Sequence, residues 1–282
     1  MIVDAHAHAW RRWPYAPAVP DPEGRGSVAQ LLWHMGENGV DHAVLIAAAI
    51  GDNPDNTADL VAAAEAVGGG RLTVFADLEC VWSPAAGTPG AADRLAAAID
   101  RWAIRGFTTY LAETQDGSAL IDAEGEAFFA LAERRGLIAS LSLMPHQMDA
   151  LAKMAARHPA LPILLHHQMY FGPRSATGPE SLAIAHKVAA ASPNVFVKLS
   201  GPGNIAAADA EYPYRALRYI GAGLLGAFSS ARLVWGSDFP VSARHMTYRQ
   251  SLDCVRRHGP PGADLGAILG QNMARLLGLG AA

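Results

Sequence analysis

Eight short apolar runs, separated by Ala/Leu-rich stretches with helical spacing, divide the whole chain. The runs read IVDAHAHA, HAVLIAA, RLTVFADL, GFTTYLA, LIASLSL, PILLHHQ, VFVKLSG and RLVWGSD, rich in β-branched and aromatic residues. Between them stand stretches such as NTADLVAAAEAV, AADRLAAAIDRWA and HQMDALAKMAARHP, several of which end at Gly or Pro as helices do. Strands that are apolar almost throughout and alternate with helices predict a parallel sheet buried on both faces. Eight repeats favour a closed (β/α)8 TIM barrel of the α/β class over an open doubly wound sheet. The 282 residues fit such a barrel as a single domain, 1–282, and no linker, short-period repeat or charge block marks a second one.

A barrel of this kind gathers its catalytic residues from the C-terminal ends of several strands. The polar residues late in these runs are Asp4, His6 and His8 on the first, His166 and His167 on the sixth, Lys198 on the seventh, and Ser237 and Asp238 on the eighth. Strand alternation puts Asp4, His6 and His8 on one side, with the two histidines about 6.6 Å apart along the chain. Their rings can tilt to one cation at ~2.0–2.1 Å, which makes them candidate metal ligands rather than two core histidines. Of His166 and His167, alternation allows only one to face inward. In LVWGSDFP, Gly236 permits a close backbone approach, and Asp238 is a metal ligand, a general base or a cap for the next helix. Lys198 either offers its ammonium at the mouth or runs outward between helices. Tyr110, His146, Trp82, Tyr170, Arg174 and Arg244 lie at or just after strand ends and are candidates to line a substrate pocket. The long Pro-rich connection after the first strand suits a loop that shapes its mouth. His34, His42 and His186 read as structural, and His158 and His258 as residues near helix C-termini.

DAHAHAW, a histidine after an apolar sixth strand, VFVKLSG, WGSDFP and LGQNMARLLGL, in this order, resemble the amidohydrolase superfamily. The branch they resemble is the amidohydrolase-2 group of sugar lactonases, dicarboxylate lactonases and non-oxidative decarboxylases. The resemblance implies that His6 and His8 are paired metal ligands and that Asp238 is the strand-eight aspartate. In the lactonase-like branch the sixth strand ends in Asp-His; His166 then stands at the Asp position and His167 at the ligand position. Binuclear members carry a lysine on strand four that GFTTYLA lacks, so at most one metal is implied. Relatives acting on acidic lactones place an arginine where this chain has Thr108, which argues against a dicarboxylate substrate. Asn272 and Arg275 match the closing motif and are assigned a packing role.

Three histidines and an aspartate around one divalent ion, zinc or else manganese, iron or cobalt, leave a position for water. The expected reaction is hydrolysis of a lactone or a related carboxylic ester or amide, with Asp238 and His167 catalytic. Alternatives are metal-free lactone hydrolysis by the same residues, a decarboxylase or hydratase on the same scaffold, and a barrel without catalysis. The last is disfavoured by four convergent polar groups, and decarboxylation by the lack of a further histidine in VFVKLSG. A net charge of −4 without clustered Lys/Arg leaves no footprint for nucleic acid or membranes, so the expected partner is a small molecule. A homo-oligomer is compatible with this reading. Two cysteines, Cys80 and Cys254, without CxxC spacing, and no basic-then-apolar leader lead to a cytoplasmic expectation.

Overall fold

The computed structural model describes residues 1–280; residues 281–282 of the expected domain lie outside the described part. Eight strands form one sheet in sequence order: β1 (Val3–Ala7), β2 (His42–Ile46), β3 (Leu72–Asp77), β4 (Gly106–Tyr110), β5 (Ile138–Ser142), β6 (Ile163–Leu165), β7 (Val195–Leu199) and β8 (Leu233–Trp235). Every neighbouring pair from β1–β2 to β7–β8 is parallel. The ring closes just above β8, where Asp238 N donates to His6 O at 2.7 Å and His8 N to Phe239 O at 2.6 Å. The histidine motif and Asp238 are therefore stitched to each other by the backbone of the closing seam.

The helices are α1 (Val28–Asn38), α2 (Asn56–Val67), α3 (Ala91–Trp102), α4 (Ala123–Arg134), α5 (Met148–Arg157), α6 (Leu182–Ala191), the short α7 (Pro202–Ile205), α8 (Arg218–Phe228), α9 (Tyr248–Arg256) and α10 (Asn272–Leu277). Alternation along the strands splits the core in two. Ala43, Leu45, Phe107, Ala139, Leu141, Val195, Val197 and Trp235 face the helices, whereas Val44, Ile46, Phe75, Ile138, Leu164, Phe196 and Val234 fill the barrel. Met273, Ala274 and Leu277 of α10 join the interior set, and Asn272 Nδ2 donates to the carbonyls of Ser230 and Leu233 at 2.7 and 2.8 Å, tying α10 to β8.

Two local departures from alternation correct the sequence reading. The β1–β2 pairing passes from Asp4↔Ala43 to Ala7↔Leu45, three residues against two, which is a bulge. One extra residue reverses the facing of everything beyond it. Val3 and Ala5 fill the barrel, Ala7 packs outward, and Asp4 accepts from Tyr248 of α9 at 2.9 Å. Asp4 thus lies on the opposite face from His6 and His8, not beside them. On the sixth strand, β6 ends at Leu165, and His167, Gln168, Met169 and Tyr170 all take positive φ, from 42° to 59°. This left-handed turn swings His167 back toward the axis after His166 has already pointed inward, so both histidines reach the interior. Alternation would have allowed one.

Candidate active site

His6, His8, His167 and Asp238 converge above the barrel core, each at most 4% exposed. His6 Nε2 lies 3.2 Å from His8 Nε2, and Asp238 Oδ1 lies 3.5, 3.7 and 3.9 Å from the Nε2 atoms of His6, His8 and His167. Their opposite nitrogens are anchored: His8 Nδ1 on Ile46 O at 2.7 Å, His167 Nδ1 beside Ser200 Oγ at 3.0 Å, His6 Nδ1 beside Lys198 Nζ at 3.0 Å. Asp238 Oδ2 accepts from Asn204 Nδ2 at 2.8 Å, which leaves Oδ1 facing the imidazoles. Trp10 stacks on His8 with 5.1 Å between centroids.

Glycine makes this approach possible at two points. A Cβ on Gly236 would stand 2.6 Å from His6 Cβ, and one on Gly201, whose φ is +54°, would stand 2.6 Å from His167 Nδ1. Neither position tolerates a side chain without moving a ring of the cluster.

Burial dominates the electrostatics. It lifts Asp238 to about 7 against the opposing pull of the Asn204 hydrogen bond and Arg244, and lifts Asp4 to about 6. It lowers His8 to about 4 and His167 to about 3, and drives His6 and His166 well below the ordinary histidine value, with Lys198 adding to the fall. Burial also pushes Lys198 well down, against the attraction of Asp4 and Asp238. The imidazoles are therefore neutral near pH 7, the state in which a ring nitrogen can bind a cation.

The donor set fits a divalent metal. Four ligands at ~2.0–2.1 Å in a tetrahedron stand roughly 3.3–3.4 Å apart, and the His6–His8 separation of 3.2 Å and the three distances to Asp238 Oδ1 of 3.5–3.9 Å lie near that spacing. Within 4.8 Å of one another stand two overlapping groups of three, His6 with His8 and Asp238, and His6 with His166 and His167.

The other expected residues are placed unevenly. Tyr110 packs 5.0 Å from His166 and 4.8 Å from Trp82, whose Nε1 donates to Asp77 at 2.7 Å; Tyr170 lies 5.4 Å from His167 with its hydroxyl 2.9 Å from Ser142 Oγ. Arg244 covers the ring of Tyr15 at 4.8 Å. Arg174 and His146 are exposed, held to Ala206 O and Gln115 O. Lys198 is at neither the mouth nor the outer surface. It is 0% exposed because β7 alternation points it inward with Phe196, beneath His6. Thr108 is buried with no hydrogen bond to its Oγ1. Sequence reasoning missed Asn204, Ser140, Ser200, Trp10 and Tyr15. Of these, Trp10, which ends DAHAHAW, and Ser200, in VFVKLSG, stood in motifs already in view.

The profile of the Amidohydro_2 (amidohydrolase) family matches residues 3–279. An L-fucono-1,5-lactonase of Burkholderia ambifaria is 28% identical over 248 residues, covering 85% of this chain and 80% of that protein. Among solved structures, a zinc-bound amidohydrolase of Burkholderia multivorans superposes with a TM-score of 0.79 at 24% identity over 99% of both chains. A probable 2-pyrone-4,6-dicarboxylic acid hydrolase of Acinetobacter baumannii does so with 0.74 at 18% identity, over 98% of this chain and 99% of the other. The two superpositions speak for the fold; the profile, running from the first strand to the last helix, shows that the chain belongs to the amidohydrolase family.

Proposed function

We propose that this protein hydrolyses a lactone, with His6, His8, His167 and Asp238 as the ligands of one divalent cation, zinc being best suited. The observation that carries the reading is the convergence of three imidazole Nε2 atoms on Asp238 Oδ1 at 3.5–3.9 Å, in a chain whose lactonase relative matches 85% of its length. A cation held there supplies Lewis acidity, acidifying water toward a pKa of about 7 and drawing charge from an acyl oxygen.

The chain's own residues do the rest. Asp238 accepts the proton of the attacking water as the water oxygen bonds to the acyl carbon. When the bond from acyl carbon to ring oxygen breaks, the same carboxyl returns that proton to the leaving alkoxide, so one proton moves in and out. Asn204 holds Oδ2 and fixes which oxygen faces the reaction. Tyr110, Tyr170, Trp82 and the Tyr15–Arg244 pair form an aromatic, hydroxyl-bearing wall that suits a cyclic, oxygen-rich small molecule.

One observation favours a metal-free version of the same hydrolysis. If Lys198 donates to His6 Nδ1, then His6 Nε2 carries the proton and donates to His8 Nε2 at 3.2 Å, while His8 Nδ1 donates to Ile46 O. That chain of hydrogen bonds is complete without a cation, and His6 then serves as a donor rather than a ligand. Elemental analysis of protein purified without added metal, paired with proton release from a panel of sugar and dicarboxylate lactones before and after chelation, separates the versions. The metal reading expects about one divalent ion per chain and activity lost on chelation; turnover of no lactone by folded, metal-loaded protein contradicts both.

A further inference from the structure

A cavity of about 290 Å³ lies on the helix side of the sheet, between α8 and α9, close to the lower end of the roughly 300–1,000 Å³ common for small-molecule sites. None of the clustered histidines, nor Asp238, lines it. Leu199 and Val255, which do, belong to the core layer between strands and helices, so the cavity and the histidine cluster occupy opposite faces of the strand ends.

Its outer end is cationic. Arg218 of α8 stands there, exposed and in no ion pair among the described residues, with Arg257 and His258 from the end of α9. Arg257 shares Asp253 with two further guanidiniums, Arg256 at 2.7 Å, Arg257 itself at 3.4 Å and Arg249 at 3.9 Å. One carboxylate thus serves three arginines, and no Asp or Glu is among the described residues that line the cavity. The walls are apolar, formed by Leu199, Tyr214, Leu217 and Val255.

Gln168 lines the inner end and is only 8% exposed. Its backbone carbonyl accepts from Phe171 N at 3.3 Å, but among the described residues its side-chain amide has no hydrogen-bond partner. Buried amides are seldom left so. A lone water is a poor remedy, because an ordered water needs roughly two to four polar partners and the walls here offer carbon.

We propose that this cavity binds a small hydroxy-carboxylate with an apolar body. The carboxylate meets Arg218 and Arg257, the body packs on Leu199, Tyr214, Leu217 and Val255, and the hydroxyl meets the Gln168 amide, which can donate to it and accept from it. Gln168 follows His167 in the left-handed turn, so the occupant sits behind the strand ends and leaves the cluster free for its own substrate.

The test titrates 4-hydroxyphenylacetate into the parent by calorimetry, with phenylacetate and 2-(4-hydroxyphenyl)ethanol as probes that each lack one end. Binding with a Kd below about 1 mM is expected, weakened about tenfold for each truncated probe. On α8, a Cβ at Gly221 would meet only Pro260 Cδ and Cγ, at 3.7 and 3.9 Å, so Gly221→Leu fills the cavity without strain. That variant should bind nothing, at a melting temperature no lower than the parent's. Arg218→Ala should lose about tenfold in affinity for 4-hydroxyphenylacetate and none for the ethanol probe. Asp238→Asn should bind as the parent does. No binding by the parent, or equal affinity for all three probes, overturns the proposal. So does undiminished binding by Gly221→Leu, or its loss in Asp238→Asn, which would put the ligand in the histidine cluster. Should Gly221→Leu not fold, parental affinity in Arg218→Ala overturns the proposal alone.

Discussion

Asp238 takes a positive φ of 56° at the barrel seam, with one oxygen on Asn204 and the other facing three imidazoles. The Asn204 hydrogen bond stabilises the carboxylate and opposes the upward push of burial, so its removal raises the Asp238 pKa. A base must be ionised to work, so in Asn204→Ala the acid limb of the kcat/KM profile should move to higher pH, read from initial rates between pH 5 and 9. An acid limb at the parental pH would show that Asn204 does not hold the base. Asp238 was legible in the sequence because GSD ends an apolar run at a strand terminus. Asn204 was not, because its contact spans 34 residues of chain with no motif around it. Lys198 was half legible: its strand was evident, but whether it points in or out depends on a register that one sequence does not settle.

Two short elements set the geometry that alternation alone misreads. The β1 bulge separates Asp4 from His6 and His8, and the left-handed turn after β6 brings His167 in beside His166. Eight strands and their order were legible from apolar runs spaced by helical stretches, since that pattern is repeated and each copy supports the others. A single inserted residue or a four-residue turn leaves no periodic trace, so the facing of His166 and Asp4 was not legible. Gly236 was legible as a place of close approach, and it lies against His6. Gly236→Ala puts a Cβ at 2.6 Å from His6 Cβ; it should destabilise the protein by about 1–3 kcal/mol in urea unfolding and lower metal content. Unchanged stability and metal content would mean that β8 yields at no cost.

Over the whole molecule, four buried histidines and two buried acids pull stability in opposite directions with pH. His6, His8, His166 and His167 are held below the ordinary histidine value of 6.5, so the unfolded chain binds protons there that the folded chain does not. Their stabilisation is present above 6.5 and is lost as pH falls toward about 4. Asp4 and Asp238 are raised to about 6 and 7, so their stabilisation is present below 3.8 and is lost as pH rises through those values. Four groups outnumber two, so metal-free protein should lose stability on acidification from pH 6.5 to 4.5, read as a falling urea midpoint. A rising midpoint would mean the histidines are not held neutral. The same buried cluster joins β1 to β8 across the seam that closes the barrel, so bound divalent metal should raise the melting temperature by mass action. The central claim, that this seam is a hydrolytic site with Asp238 as its base, is tested most directly by proton release from L-fucono-1,5-lactone and related lactones with parent and Asp238→Asn protein, both folded. Turnover by the parent and a loss of about 10²–10⁴-fold in the variant are expected; equal rates in the two proteins would remove Asp238 as the base.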